Sequence, residues 1–233
     1  MRATHQGFTL LELMIAMTIG LFLAGALVTV VQTNKKVFLN QNQLEQMQDG
    51  QRMAMTLMAD IIQTAGYFPD PTTNKLSSTL LASGSFANSQ AITGAAGDSI
   101  SVRYMTAPLD NILNCSGLSN TTAGNVVYVN TFAVIAGQLV CTDQTNTPYP
   151  LVGGVTNLTV LYGVKTNLAA AGNNADTYLT TSQMTASTWQ NVISVWIKLQ
   201  FTNPLYTAPN QGQNQFITVQ RVVDVMNQTG PST

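Results

Sequence analysis

Apolar and polar positions along this chain fall into three regimes. From Leu13 to Val31 there is no charged residue, only Thr18, Thr29, Gly20 and Gly25 among Leu, Ile, Met, Val, Ala and Phe. A helix of about 20 such residues spans the roughly 30 Å hydrocarbon core of a bilayer. The pattern then becomes one-sided. Val37, Leu44, Met47, Ala54, Met55, Met58, Ile61, Ile62 and Ala65 recur at helical intervals, and Lys35, Lys36, Gln41, Gln43, Gln46 and Gln48 fill much of the remainder. Only Gly50 interrupts before Gly66, which suits a C′ cap, and Pro69 and Pro71 forbid continuation. One helix from Phe8 to about Ala65 is expected, roughly 85 Å long. Its first half is apolar all round and its second half amphipathic, with no proline to kink it.

The third regime has a period of two. Residues 67–98 are rich in Ser, Thr, Asn, Gly, Ala and Pro and read as a connecting loop, with room for a short helix. Ile100, Val102 and Tyr104 then alternate with Ser101 and Arg103, the mark of a half-buried strand. Residues 107–125 are turn-rich. Val126–Val129, Phe132–Ile135 and Gln138–Cys141 read as a hairpin or meander, with Ala136-Gly137 in a turn. The clearest strands come late, on Leu158, Val160, Tyr162 and Val164, then on Ile193, Val195, Ile197, Leu199 and Phe201, then on Ile217, Val219, Arg221, Val223 and Val225. Tyr206–Gln215 reads as the loop between the last two. A long helix packed on an antiparallel sheet is the α+β class.

Composition narrows the function. Of 233 residues 8% are charged, the net charge is −1 and 45% are hydrophobic. No basic field points to nucleic acid, and the surface must be polar through Thr, Asn, Gln and Ser. The only histidine, His5, precedes the apolar run. Ser-His-Asp and Cys-His chemistry is therefore not expected, and there is no HExxH, GxSxG, P-loop or dinucleotide fingerprint. Gly94-Ala-Ala-Gly97 reads as a small-residue turn. The expectation is a protein that is not an enzyme and holds no cofactor or metal.

One residue breaks the apolar logic. Glu12 stands at the lip of the run, and an ionisable group on a membrane helix reads as functional by default and wants a cationic partner. Gly7-Phe8-Thr9-Leu10-Leu11-Glu12 resembles the class III signal of type IV pilins and type II secretion pseudopilins. The resemblance implies cleavage after Gly7 by a prepilin peptidase and methylation of the new amine on Phe8. It also implies that Glu12 pairs with the Phe8 amine of a neighbouring subunit, since a paired buried charge is tolerable and an unpaired one is costly. Two plainer readings compete: a secretory signal cut at Ala24-Gly25-Ala26, and a simple anchor with Glu12 snorkelling to the interface. Ala16, Gly20 and Ala24 recur every four residues, spacing that lets helices approach closely in a filament core, although such residues are also generally common in membrane helices.

In an exported chain Cys115 and Cys141 read as a disulfide, and in a reducing compartment they would be free thiols. No CxxC or His cluster accompanies them, which argues against zinc.

Gln51-Arg52-Met53-Ala54 with Asp60–Tyr67, Gly154–Leu158 with Leu161–Val164, and Trp189-Gln190-Asn191-Val192 resemble PilW-type minor pilins. In many relatives the segment matching Tyr162-Gly163-Val164 leads into an acidic loop that could hold calcium. Here it leads into Lys165–Ala170, with only Asp176 nearby. The resemblance is thin over residues 68–150. It implies a type IV pilin fold made of a leader (1–7), a transmembrane and filament-core half of the helix (8–31), an amphipathic half (32–66) and a β-rich head (67–233). The implied partners are the prepilin peptidase, other minor pilins and the major pilin, the inner-membrane assembly machinery and inner-membrane lipid. The head would be periplasmic before assembly and extracellular in the pilus, where the subunit would support pilus biogenesis and twitching motility. The alternatives are a minor pseudopilin of a type II secretion system, and a membrane-anchored periplasmic enzyme or carbohydrate-binding module using Trp189 and Trp196. DNA binding through a few lysines has no support from the charge.

Overall fold

Helix α1 runs Leu10–Gln63. It belongs to a computed structural model that describes residues 9–95, 98–169, 172, 174–207 and 212–226. Two compact units divide the chain, Met1–Gln46 and Met47–Thr233. In the first unit the described residues are helix α1 from Leu10 onward, preceded by Thr9.

In the second unit the last turns of α1 bury Ala54, Met55, Met58, Ala59, Ile61 and Ile62. Three of these, with Ala65, follow one face at helical spacing, and the alanines let the helix lie close against its neighbours. The end is capped as the sequence leads one to expect. Ala65 N donates to Ile62 O, Gly66 takes φ +75°, and Gly66 N donates to Arg103 O at 2.9 Å. Glycine supplies the left-handed conformation that stops the helix without strain.

Among the described residues nine strands follow, in two sheets rather than the one expected. The first is five-stranded in the order β1-β2-β3-β4-β5, built from Ile92–Ala95, Ser99–Thr106, Val126–Ile135, Gln138–Thr142 and Pro148–Gly153. The second is four-stranded in the order β7-β6-β8-β9, from Thr177–Leu179, Val155–Val164, Val192–Thr202 and Phe216–Asp224. Every strand pair is antiparallel. The chain passes from one sheet to the other at Gly153-Gly154, where Gly154 has φ +75°. Both sheets and the end of α1 share one core, centred on Met58, Ile62, Ile100, Phe132, Leu158, Tyr162, Ile197 and Phe201. This is the α+β class.

Several expectations need correction. Val37 heads the amphipathic stripe in the sequence but is 48% exposed. β1 and β7 are too short to show a period, and β5 carries Pro148 and Pro150, which an outer strand tolerates because one side has no ladder to feed. β3 is one continuous strand through Asn130-Thr131, and short α2 (Leu76–Thr79) and α3 (Ala186–Trp189) interrupt the loops. Of the four residues expected in a small-residue turn, Gly94 and Ala95 lie in β1, and 96–97 lie outside the described residues. A side chain at Gly94 would strike the Tyr162 hydroxyl and Thr181 Oγ1, so its absence allows the two sheets to meet.

The largest correction is Arg103. Alternation places it on the solvent side of β2, yet it is 2% exposed. Residues 80–91 fold over it. Its guanidinium donates to Gln90 O (2.5 Å), Leu81 O (2.6 Å), Ala87 O (2.7 Å) and Leu80 O (3.1 Å), and it stacks 4.8 Å from the Phe86 ring centroid. Burial lowers its pKa, but arginine stays protonated across the range in which proteins fold. No carboxylate takes part: carbonyl dipoles and an aromatic face carry the compensation. Replacing Arg103 by Lys keeps the charge but leaves carbonyls orphaned. Arg103→Lys should cost about 3 kcal/mol of stability, read by denaturant titration of the full chain in detergent. Hydrogen exchange should accelerate first at the Ser89 and Gln90 amides.

Candidate functional site

The site starts from what the N-terminal helix presents. Thr9 precedes α1, and its Oγ1 accepts the Glu12 N–H at 3.3 Å while its carbonyl accepts Leu13 N–H. Thr9 is thus the N-cap, and Glu12 sits three residues in, where a carboxylate suits the positive end of the helix dipole. Gly7 and Phe8, the expected cleavage and methylation positions, lie outside the described residues.

Glu12, Ala16, Gly20 and Ala24 are four residues apart on a helix, so they follow one another along one gently drifting face. All four are exposed, and a Cβ added at Gly20 would meet nothing within 4 Å. Around them the apolar side chains are bare: Leu21 is 79% and Phe22 80% exposed. The helix is long and apolar enough to cross a membrane by length and composition, and none of its most apolar window is buried within the chain. Thr18 and Thr29 return their hydroxyl protons to Ile15 O and Gly25 O, so their side-chain donors make no demand on the surroundings. The result is a dry cylinder with one carboxylate near its start.

In the head, Cys115 and Cys141 are bonded to each other, with Cα atoms 6.3 Å apart. The bridge ties the 107–125 segment to β4. Buried asparagines hold the same segment. Asn130 Oδ1 accepts Cys115 N–H, and its amide donates to the Tyr104 hydroxyl, which donates to Leu113 O at 2.6 Å. Asn114 Oδ1 accepts from Ser116 and Leu118, and Asn120 bridges Thr106, Thr122 and Gly124. Burial pushes the Tyr104 phenol well above its ordinary pKa, so it stays a donor at every physiological pH.

The remaining chemistry-bearing groups are structural. Asp176 is held below the usual carboxylate range by the N–H groups of Asn167 and Thr166, which its carboxylate accepts. Burial would raise the Asp143 pKa, but hydrogen bonds from Thr145, Thr147 and Tyr149 outweigh it, and the group ends below its ordinary value. Trp189 packs edge-on to Tyr162 at 4.7 Å between centroids, and Lys198 Nζ lies 5.7 Å over Trp196, so intramolecular contacts occupy both tryptophans. Among the described residues no group of three or more His, Cys, Asp or Glu could hold a metal ion.

Comparison with known proteins agrees with this surface. Residues 119–231 match the family model of Type IV Pilus-assembly protein W, and residues 2–28 match the prokaryotic N-terminal methylation motif. The resemblance to PilW-type minor pilins and to the prepilin signal is thereby borne out over those residues, while Gln51–Ala54 and Asp60–Tyr67 lie outside both matches. These matches point to a structural protein rather than an enzyme, and the motif together with the apolar helix points to membrane anchoring. No curated protein matches the chain. Among solved structures it is similar to a type IV-like pilin from Thermus thermophilus, with a TM-score of 0.41 and 13% identity over 78% of this chain and 98% of that one.

The disulfide spans 26 residues of sequence, and closing such a loop contributes about 3.5 kcal/mol in the chain-entropy model. Reduction should lower the denaturation midpoint of the full chain accordingly, and a Cys115→Ala, Cys141→Ala variant should match the reduced protein. An unchanged midpoint would show that the asparagine network alone holds the loop.

Proposed function

We propose that this protein is a minor pilin of a type IV pilus, an assembly or initiation subunit whose work is association rather than turnover. The single observation that carries the reading is the bare apolar first half of α1, from Leu10 to Val31, with Glu12 as the lone carboxylate of that stretch. A surface of that size is stable only in lipid or against other helices. In the membrane it would anchor the subunit, with the head on the periplasmic side. In the filament the helices of neighbouring pilins would replace lipid, and the small residues Ala16, Gly20 and Ala24 would allow close approach.

Processing supplies the missing cation. Cleavage after Gly7 would create an amine on Phe8, subsequently methylated, that Glu12 of an adjacent subunit can pair with as both leave lipid. Helix association thereby gains a direction and a register that apolar packing alone would not set. The description of the matched family, a type IV pilus-assembly protein, supports a pilus over a secretion pseudopilus; a place with other minor pilins at or near the tip is part of the same proposal. Twitching motility would follow from the filament's assembly.

Two measurements test this. Glu12→Ala should reduce recovery of the subunit in sheared pili about tenfold or more, since one buried amine is left unpaired. The melting temperature of the head should not move, because Glu12 is exposed on α1. Normal incorporation would sink the pairing role. Intact mass of protein from membranes should place the N-terminus at methylated Phe8. A start at Met1 or after Ala26 would remove the assembly role altogether.

A further inference from the structure

A feature that the apolar helix does not use lies in the second unit. Between α1 and β9 runs a groove of about 420 Å³, walled by Gln48, Gln51, Arg52 and Met55 on the helix and by Val219 and Arg221 on the strand. Both ionised groups on its wall are guanidiniums. The carboxylate near Arg52 is Asp49, at 3.8 Å, with both side chains more than three-quarters exposed (77% and 78%). A pair of that kind contributes little and yields readily to a better partner. Gln51 Nε2 is shielded from solvent and has no hydrogen-bond partner, a costly state for a donor. β9 is an outer strand of its sheet, so its far edge is open to a neighbour.

The arginine inventory sharpens the point. Beyond Arg2, the chain has only Arg52, Arg103 and Arg221. Arg103 is spent on backbone carbonyls inside the head, and the other two line this groove. In a chain that is 8% charged, two guanidiniums beside a shielded amide donor form a site short of acceptors. We propose that this groove receives a carboxylate-bearing segment of a neighbouring pilin-type subunit, with Arg52 and Arg221 supplying the charge and Gln51 Nε2 a hydrogen bond. Arginine suits the task because its planar fork matches a carboxylate. A lipid headgroup fits less well, since Gln51 stands about twenty residues of helix beyond Val31, where the apolar run ends. The existence of a neighbouring subunit rests on the assembly reading above; the acidic character of the occupant does not.

The test uses the full-length protein in cells that make the complete set of assembly partners, with a photo-crosslinking residue in place of Gln48. Mass spectrometry of the product should identify an Asp- or Glu-containing stretch of a different pilin-type subunit. In an Arg52→Gln, Arg221→Gln background the yield should fall about tenfold, and in an Arg52→Lys, Arg221→Lys background it should stay within about twofold. Gln51→Leu should raise the melting temperature of the full chain in detergent by about 2–4 °C, by removing an orphaned donor, while lowering the crosslink. Equal yield in the Arg→Gln background, a product on phospholipid, a product on a second copy of this chain, or no product would each overturn the proposal. Co-purification of pilins without a crosslink from the groove would overturn the groove alone. Absence of both co-purifying pilins and Phe8 processing would overturn the assembly reading as well.

Discussion

Among the described residues, the most apolar window of α1 is a helical surface with none of its residues buried. Fully burying a side chain such as Leu or Phe is worth about 1.5–3 kcal/mol, and Leu10, Leu11, Leu13, Met14, Ile15, Leu21, Phe22, Leu23 and Leu27 are all at least half exposed. A soluble monomer does not tolerate such a strip, so the environment that covers it decides where the molecule can exist. Lipid and neighbouring helices are both apolar, and transfer between them is nearly neutral in hydrophobic terms. What biases that transfer must come from packing and from polar groups. In the assembly proposed above, small residues at four-residue spacing would serve the first, and Glu12 would serve the second. A lone carboxylate is awkward in lipid and useful only beside a cation. That asymmetry makes it informative.

The head solves a different problem with the same helix. Its core needs one covering element for two sheets, and the α1 stretch from Ala54 to Ile62, followed by Ala65, provides it with small and flexible side chains. Alanines permit close approach, and Met55 and Met58 adapt to whatever shape the sheets leave. The helix end is then fastened by Gly66 N to Arg103 O, while the Arg103 side chain fastens residues 80–91 across the same strand. One residue of β2 thus joins the helix terminus, the covering loop and the first sheet. Removing a buried cation that satisfies four carbonyls disturbs all three together.

How much of this could be read from the residues alone depended on length and period. The helix, its glycine cap and the late strands β6, β8 and β9 are long enough for periodicity to show. β1 and β7 are not, and the prolines of β5 argue against a strand until its outer position is known. The second sheet was hidden because alternation reports that a face is buried, not which layer buries it. Arg103 was misplaced for a related reason. Its neighbours Val102 and Tyr104 point inward, and nothing in β2 announces that residues 80–91 will roof the other side. At the candidate site, Glu12 stands out in the sequence because a carboxylate beside an apolar run is anomalous by itself, whatever its role proves to be. The groove was not legible: Gln51 and Arg52 look like ordinary solvent-facing helix positions until β9 is placed beside them.

Sparse charge explains why the few ionised groups in this head are so easily sorted. A surface made of Thr, Asn, Gln and Ser can satisfy itself locally, and here it does. Thr hydroxyls fold back onto helix carbonyls, and Asn114, Asn120 and Asn130 replace missing backbone partners in the 107–125 segment. Neutral polar groups therefore make the loops, and formal charges are spared for tasks that neutral groups do poorly. Arg103 takes four carbonyls at once. Asp143 and Asp176 each gather several donors into a turn, and both are held below their ordinary carboxylate range by doing so. Groups committed in this way are not available to a partner. An ionised side chain left at a concave surface, beside an amide whose donor has found no acceptor, stands out against that background. In a densely charged protein the same arrangement would be unremarkable.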